Sequence, residues 1–267
     1  MTTYRNIHGR SIQAVTTDPT ESVAEGQVWY NTASDTFKSV VSTSAWASAS
    51  PMINAKAYRF GGGTQTAAFA AAGAPSPITA TEEYNGSGWS TGGAIGTSRY
   101  EGGSAGSQTA GLIFGGYAGT APGSTATEEY DGSSWTAGGA LNNTGYGYGG
   151  LGTQTAGLYA SRFDGPSASS NLTEEYNGTS WTAVSPGTQN TEVLDVGTAG
   201  TQTAGLQFGG QPRPGTTVAT NTESYDGSTW TAVNAMNSGR SQLGGSGIQT
   251  AAIAFGGRFT PPGSVLR

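Results

Sequence analysis

The carboxylates are the first residues in this chain that could do chemistry. Glu82-Glu83, Glu128-Glu129 and Glu174-Glu175 are adjacent pairs, and two carboxyl groups flanking a glycosidic bond are the working parts of a glycosidase. Their setting argues otherwise. Each pair lies in the same tetrapeptide, Thr-Glu-Glu-Tyr, beginning at Thr81, Thr127 and Thr173, and a fourth version reads Thr222-Glu223-Ser224-Tyr225. An active site is one constellation, not one per repeat. Alternate residues of an extended segment share a face, so the first Glu sides with the Tyr and the second points the opposite way. Glu82, Glu128, Glu174 and Glu223 are therefore expected inside, accepting hydrogen bonds from backbone N–H groups or from Thr, Gln or Trp. A buried carboxylate without such donors costs several kcal/mol. No loop of the calcium-binding kind surrounds them.

Other chemistry is hard to assemble. His8 is the single histidine and there are no cysteines, which leaves neither a triad nor a thiolate metal set. No Gly-Lys-Ser/Thr phosphate loop occurs. Charged residues make up 10% of the chain and the net charge is −6, so no basic stripe exists to neutralise a nucleic-acid backbone. No apolar run reaches the roughly 18 residues of a membrane span, and the polar start Met1-Thr2-Thr3-Tyr4-Arg5-Asn6 has no signal-peptide core. The expectation is a non-enzymatic protein with no metal, no cofactor, no nucleic-acid partner and no membrane insertion.

The elements that carry these residues repeat. Gln-Thr-Ala recurs at Gln65, Gln108, Gln154, Gln202 and Gln249, and a tryptophan recurs in step at Trp46, Trp89, Trp135, Trp181 and Trp230. Periods in the forties mark a repeat architecture, in which neighbouring copies bury each other's apolar faces. One copy reads as four strands. A Gly-rich strand a leads into strand b, Gln-Thr-Ala-x-x-x-Phe-Gly-Gly; strand c is Thr-Glu-Glu-Tyr and strand d carries the Trp. Asn85-Gly86, Asp131-Gly132, Asn177-Gly178 and Asp226-Gly227 mark the c–d hairpins, because Asn, Asp and Gly tolerate positive φ. Four antiparallel strands per repeat describe the blades of a β-propeller, with strand a at the crowded axis, where small residues fit. Gln and Trp read as inter-blade hydrogen bonder and packing residue.

The order of a double glycine after an apolar strand, then Tyr-Asp or Tyr-Asn, then Trp resembles the kelch family. Phe114-Gly115-Gly116, Tyr130-Asp131 and Trp135 match it, as do Phe208-Gly209-Gly210, Tyr225-Asp226 and Trp230. The third copy departs, with Ala160-Ser161 in place of the glycines, and the first has Ala71-Ala72-Gly73. The resemblance spans residues 36 to 257 and implies a fold, not an activity. Galactose oxidase has this fold, but its copper site of histidines and a Cys-modified tyrosine cannot be built here. The last copy stops after strands a and b, at Phe255-Gly256-Gly257, while Phe37-Lys38-Ser39-Val40-Val41 and Trp46 read as strands c and d without a and b. The expected fold is thus all-β: a five-bladed kelch-like β-propeller over residues 36–267, closed by N- and C-terminal strands, with an N-terminal arm over residues 1–35.

That arm does not repeat. Ile12-Gln13-Ala14-Val15 and Glu25-Gly26-Gln27-Val28-Trp29-Tyr30-Asn31-Thr32, followed by Thr36-Phe37-Lys38, resemble a stretch near the start of phage tail-fibre and other virion proteins. The resemblance implies a virion-attachment arm, with Ile12, Val15, Val28, Trp29 and Tyr30 as docking residues; a domain-closing strand without an attachment role is the alternative. In the repeats, the b–c and d–a loops leave at one end of the ring and vary, whereas the a–b and c–d turns are short and uniform. Recognition belongs on loops held by a rigid scaffold. The candidate ligand-binding residues are Arg99, Tyr100, Tyr117, Tyr146, Tyr148, Arg162, Phe163, Asp164 and Arg213, side chains that combine area with hydrogen bonding. The expected function is a phage virion structural protein of the tail or tail fibre. Its partners would be other virion tail proteins, a host-surface glycan or receptor, or further copies of itself. The alternative is a free lectin-like carbohydrate-binding propeller.

Overall fold

The computed structural model describes residues 13–17, 28–39, 47–75, 78–119, 123–163, 169–185, 187–212 and 217–259. The chain forms two compact units, Met1–Ser48 and Ala49–Arg267. The first is a three-stranded sheet of β1 (Gln13–Val15), β2 (Val28–Asn31) and β3 (Thr36–Ser39), in that order. β1 runs parallel to β2, and β2 forms an antiparallel hairpin with β3. Asn31 Oδ1 holds the hairpin turn by accepting from the N–H groups of Ala33 and Ser34 at 2.9 and 3.0 Å. Thr36–Lys38 is thus the second strand of the Val28–Asn31 hairpin.

This pairing corrects the other expectation for the same residues. Phe37–Ser39 do not form a third strand beside the C-terminal hairpin; they belong to the N-terminal sheet. A turn of a few residues closes at little entropic cost, whereas pairing with residues 251–255 would close a loop of nearly the whole chain. Val40–Trp46, the remainder of that expected c–d pair, lie outside the described residues.

The second unit is all strand among its described residues. Its first sheet is β4 (Phe60–Thr64), β5 (Ala67–Ala71), β6 (Thr81–Tyr84) and β7 (Trp89–Gly92); the next is β8 (Gly103–Ser107), β9 (Ala110–Phe114), β10 (Thr127–Tyr130) and β11 (Trp135–Ala137). The third contains β12 (Gly150–Thr153) and β13 (Ala156–Tyr159), then a small ribbon of β14 (Arg162–Phe163) with β15 (Ser169–Ser170), then β16 (Glu174–Tyr176) and β17 (Trp181–Ala183). The fourth is β18 (Gly197–Thr201), β19 (Ala204–Phe208), β20 (Thr222–Tyr225) and β21 (Trp230–Val233), and β22 (Gly244–Ile248) with β23 (Ala251–Phe255) ends the series as a hairpin. Each four-stranded sheet is an antiparallel meander in chain order. Repeated sheets of this kind are compatible with a β-propeller.

The c–d hairpins show why Asx-Gly recurs. Asp131–Ser134 is a four-residue turn between the paired Tyr130 and Trp135. Asp131 Oδ1 accepts from the N–H groups of Ser133 and Ser134 at 2.8 and 2.7 Å, and Gly132 sits at φ +91°, where a side chain is strained. The inner strands need small residues for a different reason. A Cβ on Gly150 would lie 2.5 Å from the backbone nitrogen of Ser104 on the neighbouring inner strand.

Cores lie between successive sheets. The Trp181 ring packs on Phe114 of the preceding sheet at 4.7 Å, and its Nε1 donates to Thr127 Oγ1 at 2.8 Å. Trp135 and Trp230 make the same bond to Thr81 and Thr173. Each repeated Gln from the second copy onward ties adjacent sheets: Gln154 Nε2 donates to the carbonyls of Gly111 and Tyr130, and Gln108, Gln202 and Gln249 act likewise. The terminal hairpin differs. Ile253 and Phe255 are 55% and 39% exposed, whereas Ile113 and Phe114 in the second sheet are fully buried.

Candidate functional site

The repeated carboxylates are structural in their geometry. Glu82, Glu128, Glu174 and Glu223 are all buried. Each accepts backbone N–H groups from the d–a loop of the preceding repeat: Ile53 and Asn54 on Glu82, Gly96 on Glu128, Asn142 and Asn143 on Glu174, and Asn190 and Thr191 on Glu223. Burial raises the Glu82 carboxyl pKa, but the N–H groups of Ile53 and Asn54, the Asn54 side chain and the Arg59 charge outweigh it and hold it below its ordinary value. The donors are backbone amides, as expected, joined by Asn and Arg side chains rather than by Thr, Gln or Trp.

Those arginines include two candidates for ligand binding. Arg99 Nη1 meets Glu128 Oε1 at 2.5 Å, its Nε donates to Gly115 O at 2.9 Å, and its guanidinium lies over the Phe60 ring. Arg162 Nη2 is 2.9 Å from Glu174 Oε1, with the guanidinium over Tyr159. Both side chains have no exposed surface. They were expected on recognition loops; the buried carboxylates draw them inside, because an unpaired buried charge is far costlier than an exposed one.

The second Glu of each pair faces the following sheet. Tyr130 donates to Glu83 at 2.6 Å, Tyr176 to Glu129 at 2.5 Å and Tyr225 to Glu175 at 2.9 Å. Burial, then the hydrogen bond to Glu83, pushes the Tyr130 phenol up to about 12; burial and Glu129 do the same for Tyr176, also to about 12. Every repeated acid thus has a bonding role between sheets.

On the loop end, single bridges extend strands a and b: Tyr100 pairs with Tyr117 and Tyr146 with Phe163. These bring four candidate residues into one run of rings. Tyr100–Tyr117, Tyr117–Tyr146 and Tyr146–Phe163 have centroid distances of 5.5, 5.5 and 5.0 Å, and Tyr58 joins the other end at 6.1 Å from Tyr100. Tyr58 is 43% exposed, Tyr100, Tyr117 and Tyr146 are half-buried, and Phe163 is buried. Asp164 and Arg213 lie outside the described residues.

Tyr148 stands apart from this run. It lines a cavity of about 670 Å³ bounded by β4, β8, β12, β18 and β22, with Tyr58 and Gln242 also on its wall. Burial pushes its phenol pKa strongly upward, and the charges of Glu101 and Asp195 add to the effect. Sequence reasoning passed over Tyr58, Glu101, Asp195 and Gln242. The signal available was their shared position two residues ahead of an inner strand. In the N-terminal unit, Val15 is half-buried on β1, Trp29 is buried and Val28 belongs to β2. The Tyr30 ring packs on Phe37 at 5.0 Å and its hydroxyl donates to Asp35. Ile12 lies outside the described residues.

Among the described residues no group of three or more His, Cys, Asp or Glu could hold a metal ion, and no helix is long and apolar enough to cross a membrane. The chain matches no protein-family model and no curated protein sequence.

Proposed function

We propose that this chain is a virion component of the phage tail or tail-fibre type, in which a kelch-like propeller is a rigid recognition and assembly module and residues 1–35 attach it. In this reading the repeat unit has five blades, with β22 and β23 in the fifth. The register of residues 50–53, ahead of the first sheet, supports this. Ser50 Oγ donates to Ser87 O, and Ile53 N–H donates to Glu82, the places that Gly93 and Gly96 take one repeat later against Ser133 and Glu128. The role itself rests on one observation: the Gly26–Thr32 virion-type motif with its β2–β3 hairpin, ahead of a repeat array whose repeated acids are all bound between sheets. No chemistry is assigned to the chain.

Two measurements on purified particles test the role. Mass spectrometry should find the full chain in the particle, and a chain lacking residues 1–35 should not be incorporated. A protein absent from particles, or a truncated chain incorporated as well as the full one, rejects it. A free lectin-like protein is the second reading, favoured by the run of rings from Tyr58 to Phe163.

A further inference from the structure

We propose that the central cavity of the repeat unit is a binding site for an uncharged saccharide, with Tyr148 and Gln242 as its hydrogen-bonding side chains and Tyr58 as the ring at its mouth. The inference rests on the recognition reading above and names a ligand class and a place for it.

Backbone conformation gives the first argument. Most positions with positive φ among the described residues are glycine. Among the described residues seven non-glycine residues have positive φ, and four of them are Tyr58, Glu101, Asp195 and Gln242, at φ 58°, 59°, 62° and 55°. All four lie two residues ahead of an inner strand, at β4, β8, β18 and β22. Their backbones are linked across sheets, with Glu101 N donating to Tyr58 O at 3.0 Å and Gln242 N to Asp195 O at 2.8 Å. In the third sheet Gly147 takes the place, at φ +129°, with its N–H on Glu101 O, and Tyr148 follows it. Glycine would remove the strain at the other four positions. Asp35, Ala72 and Ser161 are the other three; at the four positions ahead of the inner strands the strain is kept each time for a side chain that can hydrogen-bond, which points to a use for those side chains.

The cavity supplies the second argument. Its 670 Å³ falls within the roughly 300–1,000 Å³ of small-ligand sites. Each inner strand is the terminal strand of its sheet, so one backbone edge of each carries donors and acceptors that no strand of its own sheet pairs. Ser104 and Thr198 bridge part of that edge, donating to Gly61 O and Gly150 O. Tyr148 lines the cavity beside these edges. Alternating donors and acceptors with an aromatic ring suit a polyhydroxylated ring better than a lipid.

Charge gives the third. Arg59 is the one charged residue on the wall, and its guanidinium is engaged by Glu82, Asn54 O and Ala70 O. Among the described residues no free cation on this wall remains for an acidic sugar. Glu101 and Asp195, close enough to Tyr148 to raise its pKa, repel one.

Saturation-transfer NMR and calorimetry on the full chain test this, with glucose, galactose, N-acetylglucosamine and lactose as neutral probes and glucuronate as the anionic one. At least one neutral probe should bind, and glucuronate at least about tenfold more weakly. Tyr148→Phe should weaken binding by about tenfold, the loss of one hydrogen bond. Gln242→Gly relieves the left-handed backbone, so the melting temperature should hold or rise while binding falls by a similar factor. The exposed Val233→Ala on β21 should change nothing. No binding of any neutral probe at roughly 10 mM overturns the inference, as does stronger binding of glucuronate. Binding that is lost in Tyr117→Ala but unmoved by Tyr148→Phe and Gln242→Gly also overturns it, and places the ligand on the outer rings. Each of these outcomes is independent of incorporation into particles, so the virion reading stands or falls separately.

Discussion

Three arginines reach equivalent carboxylates from three different places in the repeat. Arg59 directly precedes β4, Arg99 lies in the loop ahead of β8, and Arg162 follows β13, yet they pair with Glu82, Glu128 and Glu174. Among the described residues no arginine meets Glu223, which accepts from the Asn190 side chain and the N–H groups of Asn190 and Thr191. The common requirement is donors to a buried carboxylate, and any side chain long enough to arrive can supply them. Removing one member of a buried pair strands the other. Glu174→Ala, which leaves the fully buried Arg162 uncompensated, should cost about 3–5 kcal/mol in urea unfolding. Arg162→Met should cost clearly less, because Asn142 and Asn143 still donate to Glu174. Equal losses for the two variants would show that the pair is not what the arginine is held for.

Between elements, the Tyr–Glu bonds act as rivets from one sheet to the next, and they carry a pH signature. The Tyr130 and Tyr176 phenols are raised from 10.0 to about 12, so the folded state holds their protons more tightly than the unfolded chain does. Their contribution is complete below pH 10 and is lost as pH climbs through about 12. Melting temperature should therefore fall steeply across that window, and Tyr130→Phe should flatten the fall at some cost in stability at neutral pH. A profile identical in wild type and Tyr130→Phe would remove these bonds from the account.

At the scale of the molecule, the terminal hairpin decides the architecture. β22 and β23 hydrogen-bond only to each other among the described residues, and their apolar side chains are more exposed than those of the complete sheets.

Read by itself, the sequence determines the strands and the contacts that repeat with them. Gln-Thr-Ala, Thr-Glu-Glu-Tyr, Asx-Gly and Trp recur with bonds that recur from sheet to sheet, the Gln bond from Gln108 onward and the Trp bond at Trp135, Trp181 and Trp230, so spacing and residue type suffice to find them. It also locates Tyr100, Tyr117, Tyr146 and Phe163 on one set of loops. Only the tertiary structure decides that Arg99 and Arg162 are interior, since their partners lie in other strands and their places in the repeat differ. It alone assigns Phe37–Ser39 to the N-terminal sheet, where a local hairpin outcompetes a pairing across the length of the chain. The same holds for the residues ahead of the inner strands. Tyr58, Glu101, Asp195 and Gln242 share no residue type; the repeat marks their place two residues ahead of an inner strand, but the left-handed backbone angle they share is one that no linear pattern records.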